Sequence, residues 1–281
     1  NMADEAILTG GLTKSYGPVL ALDRLDIEVR RGEIFGFLGP NGAGKTTAIR
    51  LFLDILRPDA GVLSVLGLDP RAQGVEVRRR IGYLPGDFTV EGNQTARHLL
   101  TYLGNLRGGV PKRSIEDLAE RLVLDLDTKI RNLSKGNRQK VGLIQAFMHE
   151  PELLILDEPT SGLDPLMARE FLSMTTQARD AGQTVFMSSH ILSEVQQVAD
   201  RAAIIRRGRL IAVDEVDSLR AKSVRRAEVT FDEPVDPSEF AAIDGVSDLD
   251  VEDGVLRCRL LGEADALVKA VARYRVRDFI P

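Results

Sequence analysis

Short apolar runs, each closed by a cluster of polar residues, organise the first two hundred or so positions of the chain. Residues 34–38 read as a buried strand followed by a glycine-rich turn and a helix that begins near Lys45. Residues 153–156 and 184–188 read as two further buried strands, and each delivers polar side chains at its carboxyl end. Such strands alternating with helical patterns predict an α/β domain on a mixed, largely parallel sheet. Between the first two strands the pattern changes. Over residues 95–150, Leu99, Leu103 and Leu106 recur at helical spacing, and Ser114-Ile115-Glu116-Asp117 has the form of a capping box opening another helix. This stretch is expected to form a helical insert, a subdomain spanning about 87–150.

Beyond a charged stretch at 216–226, read as a linker, the pattern shifts again. It predicts a strand at 227–231, a helix at 236–243, strands at 246–251 and 255–261, a helix at 263–274 and a strand at 276–280. Glu252-Asp253-Gly254 joins the middle strands, and Asp-Gly favours a tight hairpin turn. The order βαββαβ is that of a ferredoxin-like unit. At roughly 55 residues such a unit is marginal alone, so it is expected to pack on the main domain or on a second copy. The domains expected are therefore 6–215 and 227–281.

Composition narrows the class. A chain of 281 residues, 43% apolar and 28% charged, is long enough for about two domains and for a real core. Its 37 basic against 42 acidic residues, net −5, argue against a protein built to coat nucleic acid. The single cysteine, Cys258, rules out an internal disulfide framework and suits a reducing compartment. No apolar run approaches the ~20 residues that span a bilayer, and the first residues form no signal peptide. Asn1 reads as an addition before a native start at Met2. A soluble intracellular protein is expected, with any membrane role supplied by a partner.

The chemistry begins at Gly39-Pro40-Asn41-Gly42-Ala43-Gly44-Lys45-Thr46, which fits the phosphate-loop pattern G-x-x-x-x-G-K-[ST] between a strand and a helix. Glycines let the backbone wrap closely and turn its N–H groups toward phosphate oxygens, and the helix adds its positive end. Lys45 is expected on the β- and γ-phosphates, the Thr46 hydroxyl on Mg²⁺, and Thr47 on the α-phosphate. The strand at 153–156 ends in Asp157-Glu158. Asp157 would complete the magnesium shell, and Glu158 would polarise an attacking water, a task worth typically 10²–10⁴-fold in rate. These two elements imply nucleoside-triphosphate hydrolysis.

Further motifs carry a family resemblance. Leu133-Ser134-Lys135-Gly136-Asn137-Arg138-Gln139 resembles the signature loop of ATP-binding-cassette (ABC) proteins, usually LSGGQ. Ser161-Gly162-Leu163-Asp164 resembles their D-loop, His190 their switch histidine, and Tyr16 the aromatic they stack on adenine. The resemblance covers about residues 6–215. It implies ATP and Mg²⁺ at the site and a head-to-tail homodimer, with Ser134, Lys135, Gly136 and Asn137 capping the ATP on the other subunit. His190 would report on the γ-phosphate, and Asp164 would link the two sites. It also implies separate transmembrane permease subunits docked on the insert at about 87–112, and hence a place on the cytoplasmic face of the membrane. The wording around the motifs is similar to bacterial type-2 exporter cassettes, which include drug and antibiotic pumps.

The sequence departs from the family in two places. Lys135 and Asn137 replace a glycine and a glutamine of the signature; Lys135 either strengthens the sandwich or points to solvent. In Ile81-Gly82-Tyr83-Leu84-Pro85-Gly86-Asp87 the family's glutamine is replaced by Gly86, and Asp87 either takes over its role or is a solvated loop residue. Two other classes compete. A soluble ABC ATPase acting on nucleic acid or the ribosome usually carries coiled-coil inserts, zinc-binding cysteines or two cassettes. An importer cassette would use the C-terminal unit as a sensor. Arg78-Arg79-Arg80 and Arg206-Arg207-Gly208-Arg209 are either solvated faces or contacts to an acidic surface. Related cassettes often continue past the last strand into an acidic helix, so a chain that ends at Pro281 is read as one cut short there.

Overall fold

The amino-terminal residues, for which the sequence pattern predicted no element, fold into an antiparallel sheet, and the continuous apolar runs fold into a parallel one. In the computed structural model, which describes residues 4–218, 224–261 and 264–280, β1 (Glu5–Tyr16), β2 (Val19–Leu25) and β3 (Glu28–Arg30) pair antiparallel, and β4 (Ile34–Leu38) enters the second sheet. α1 (Lys45–Phe52) follows, and β5 (Ala60–Val65) returns to β1. Then come α2 (Pro70–Arg79), β6 (Ile81–Leu84), α3 (Ala96–Leu106), α4 (Lys112–Arg121) and α5 (Lys135–Phe147). The unit closes with β7 (Leu153–Asp157), α6 (Pro165–Asp180), β8 (Thr184–Ser189), α7 (Leu192–Val198), β9 (Arg201–Arg206) and β10 (Arg209–Glu215). The six-stranded sheet runs β10-β9-β4-β8-β7-β6, and the pairs β9–β4, β4–β8, β8–β7 and β7–β6 are parallel.

Every residue of β4, β7 and β8 is buried, because helices and the antiparallel sheet leave neither face to water; this is why these strands read as unbroken apolar runs. Phe186 of β8 anchors the core, with Phe37 and Phe52 at 5.4 Å and Phe35 at 6.0 Å between ring centroids. Contacts divide the chain after Asp214, and the second unit has its own core.

That unit comprises β11 (Val224–Phe231), α8 (Pro237–Ala241), β12 (Val246–Glu252), β13 (Val255–Leu261), α9 (Asp265–Val271) and β14 (Val276–Ile280). Its sheet order, β12-β13-β11-β14, with every pairing antiparallel, is ferredoxin-like. Asp253 and Gly254 both take left-handed φ, 50° and 77°, as a two-residue type I′ hairpin requires. Phe231, Phe240 and Tyr274 form a ring cluster. Cys258 is buried in the same core, which pushes its thiol pKa up.

Several expected elements differ. Ser114 lies inside α4, which starts at Lys112 behind Pro111 with no side-chain cap. The ring of Pro111 presets the entry, so no capping box forms. In α3 the buried face is Ala96, Leu100 and Gly104, whereas Leu106 is exposed. β11 begins at Val224, within the expected linker. The linker's residues 219–223, the helix start at Glu263, the start at Met2 and the end at Pro281 lie outside the described residues.

Candidate active site

Sheet register assembles the site. β8 lies between β4 and β7, with Leu38 opposite Ser189 and Asp157 opposite Ser188. The phosphate loop after β4, the Asp157-Glu158 pair ending β7 and His190 after β8 therefore emerge side by side at the carboxyl edge. Gly44 caps α1 with φ 111°, and a Cβ there would lie 2.6 Å from the Ala21 carbonyl oxygen, so only glycine closes the loop this tightly.

Lys45 is 6% exposed. Its ammonium donates to the carbonyls of Gly39 at 2.5 Å and Pro40 at 3.3 Å and pairs with Glu158 Oε1 at 3.1 Å. Glu158 Oε2 lies 2.7 Å from His190 Nδ1. Glu158 has φ 48°, and its N–H donates to Ser188 Oγ at 3.0 Å. Asp157 is 1% exposed; it accepts from Ser188 Oγ at 2.5 Å and from Thr46 Oγ1 at 2.8 Å. A hydroxyl and a fixed carboxylate are hard oxygen donors suited to Mg²⁺. Among the described residues no group of three or more His, Cys, Asp or Glu could hold a metal. This donor pair fits a cation that takes its other ligands from phosphate and water.

Two cavities meet here. One, of about 450 Å³, is lined by Val19, Leu20, Ala21, Pro40 to Thr47, Glu158 and Arg207. The other, of about 370 Å³, is lined by Asn41, Thr46, Arg50, Tyr83, Gly86, Asp87, Asp157, Glu158, Ser161 and His190, among others. Asp87 thus shares a cavity with the two carboxylates and the histidine. A Cβ on Gly86 would lie 3.3 Å from Asp157 Oδ2. Burial, and then the charge of Asp157, push the Tyr83 phenol up to about 12.

The signature residues stand elsewhere. Ser134 caps α5, accepting from the Asn137 N–H at 3.2 Å. A Cβ on Gly136 would lie 2.8 Å from the Gly162 carbonyl, and the Lys135 side chain packs beside Gly162. Asp164 caps α6 through the N–H groups of Leu166 and Met167, both at 3.0 Å. Tyr16 ends β1 across a tight turn from Val19, 44% exposed, with the Lys14 ammonium 6.0 Å from its ring centre. Tyr83 and Arg207 join the site from segments singled out for other reasons, and Ser188 joins it as the residue that sheet register places beside Asp157.

A parallel sheet that delivers a phosphate cradle from one strand, and a carboxylate pair from a strand two places away, defines a phosphate-loop nucleoside triphosphatase. Residues 22–161 match the ABC transporter family. The chain is 39% identical over 228 residues to the bacitracin transport ATP-binding protein BcrA of Bacillus licheniformis, which spans 79% of this chain and 74% of that one. It is 40% identical over 227 residues to the daunorubicin resistance ATP-binding protein DrrA3 of Streptomyces coeruleorubidus, spanning 79% and 72%. The fold matches the solved ATP-binding subunit of an ABC transporter with TM-score 0.70 and 29% identity, over 76% of this chain and 92% of that one. It also matches a dimeric post-hydrolysis cassette bound to ADP and Pi, with TM-score 0.67 and 20% identity, over 75% and 98%. The chain belongs to the ABC transporter family, and its first unit is an ATP-binding ABC ATPase. No helix among the described residues is long and apolar enough to cross a membrane.

Proposed function

We propose that this protein powers a bacterial exporter of drugs or antibiotics, working as a homodimer beneath separate permease subunits on the cytoplasmic face of the membrane. The observation that carries its ATP-hydrolysing part is the chain of contacts Lys45–Glu158–His190 beside the Thr46–Asp157 pair. Phosphate oxygens arriving in the cradle compete for the Lys45 ammonium and release Glu158 to face water. Glu158 then takes a proton from that water as its oxygen attacks the γ-phosphorus. The bond to the β–γ bridging oxygen breaks, ADP leaves with the electron pair, and His190 holds the Glu158 carboxylate in line. Thr46 and Asp157 would hold Mg²⁺, which would supply neutralisation of the developing phosphate charge.

Relatives that carry bacitracin transport and daunorubicin resistance in their names support the exporter class. The position of the signature residues, away from their own phosphate loop, supports a second copy as the source of the opposite cap. A groove between α3 and α4, lined by Arg97, His98, Tyr102, Asn105, Lys112 and Glu116, supports docking of a permease segment on the insert.

The test is Glu158→Gln. The variant is expected to change from about one chain to about two in light scattering only when Mg·ATP is added, because hydrolysis no longer dissolves the sandwich. A mass that stays at one chain with nucleotide bound, in the presence of the co-expressed permease as well, overturns the dimer reading.

A further inference from the structure

Glu194 sits in the first turn of α7, half-buried, and none of the roles assigned above uses it. Its Oε2 accepts two hydrogen bonds from separate parts of the chain: Thr160 Oγ1 at 2.9 Å and Ser189 Oγ at 3.2 Å. Thr160 stands two residues beyond Glu158, on the loop that leads to Asp164. Ser189 is 2% exposed and immediately precedes His190. The two loops between which Glu158 and His190 face each other are therefore joined a second time, behind the reacting groups, by one carboxylate oxygen.

Both ends of this link continue into other functional segments. The Ser189 carbonyl accepts from the Gly39 N–H at 3.2 Å, at the first residue of the phosphate loop. Ser189 Oγ also accepts from the Ile191 N–H at 3.0 Å, which fixes the turn that carries His190. On the other side, the Pro159 carbonyl accepts from Gln139 Nε2 at 3.1 Å, buried, on the helix that Ser134 caps. The helix dipole favours an acid in the first turn, which explains a glutamate at 194 but not the second hydroxyl donor, Thr160, which reaches it from 34 residues away in the chain. Side-chain networks of this kind specify one relative placement of the segments they join.

We infer that Glu194 is a positioning residue of the ATPase cycle: by holding Thr160 and Ser189 together, it couples the loop 158–164 to the switch histidine, so that rearrangement at the signature helix reaches His190. The inference rests on the hydrolytic reading above.

The test compares Glu194→Ala, Glu194→Gln, Thr160→Val and the Glu194→Ala/Thr160→Val double variant in the full chain, with the parent assayed first. Glu194→Ala is expected to lower kcat about 10- to 100-fold, as misplacement of reacting groups does, with KM for ATP within about twofold of the parent. Glu194→Gln keeps a carbonyl oxygen for both hydroxyls and is expected to retain most of the rate. The double variant is expected to lose no more than the worse single one. Unchanged kcat in Glu194→Ala, losses that add in full, or Glu194→Gln failing like Glu194→Ala each overturn the inference. A parent without turnover overturns the hydrolytic reading instead, and hydrogen exchange then decides the coupling. Glu194→Ala should raise amide exchange in both 158–164 and 188–191; a change confined to 192–198 overturns it.

Discussion

At position 86 the chain offers only backbone where its family carries glutamine, and the neighbouring carboxylate of Asp87 opens into the same cavity as Asp157, Glu158 and His190. A Cβ at Gly86 would come close to the Asp157 carboxylate, and whether Asp87 takes over the glutamine's role is open to a direct test. Asp87→Ala is expected to lower kcat about tenfold or more while nucleotide affinity stays near the parent value. Steady-state hydrolysis alongside equilibrium nucleotide titration measures both, and an unchanged kcat would leave Asp87 as a solvated loop residue. The arginine runs resolve at the same scale. Arg80 forks onto Glu152 with both bonds at 2.6 Å, and Arg209 pairs with Asp23 at 2.7 Å. Arg207, by contrast, lines the nucleotide cavity. Side chains in one run thus meet different fates, because a turn sends neighbours to opposite sides.

β6 is the last strand on its side of the sheet, so its outer carbonyls need partners. The Ile81 carbonyl accepts from Arg107 at 3.2 Å and from His149 Nε2 at 3.3 Å, and the Tyr83 carbonyl accepts from Gln145. Three side chains of the helical insert thereby grip the strand that runs into Gly86 and Asp87. Burial, and then the positive charge of Arg107, push His149 down to about 4. The folded state holds His149 neutral while the unfolded chain protonates near 6.5. Its contribution to stability is therefore complete above about pH 6.5, declines as the pH falls, and is gone near pH 4. Allowing for partial exposure, the loss is on the order of 2 kcal/mol. His149→Gln should flatten that part of the stability–pH curve measured by urea unfolding; an unchanged slope would place the titration elsewhere.

The same scale shows what could be read in advance. The phosphate loop, signature and Asp157-Glu158 were legible because their backbone requirements compress into contiguous residues. The strands were legible because burial on both faces leaves only apolar runs. The face of α3 was not: of its four leucines only Leu100 is buried, beside the small residues Ala96 and Gly104. Ser188 and the donors to Glu194 arrive through sheet register and loop closure, which leave no local pattern.

At the level of the whole chain, two apolar clusters share no residue, one built around Phe35, Phe37 and Phe186 and the other around Val229, Phe231 and Phe240. Phe240 is fully buried. Phe240→Ala should cost about 3–5 kcal/mol, a large part of what a small unit possesses. Calorimetry is expected to show the C-terminal transition lowered or lost while ATP affinity holds. A single cooperative transition shifted as a whole would mean the two cores melt together.

During synthesis, the order of strands in the six-stranded sheet imposes a wait. β4 leaves the ribosome early, but its partners are residues 184–189 and 201–206. At about 5–20 residues per second, the delay is roughly 10–30 s. Through that interval the apolar stretch Ile34–Leu38 has no sheet neighbour, and the glycine-rich loop after it has no fixed shape. Nucleotide can therefore assist folding only after most of the polypeptide has been made.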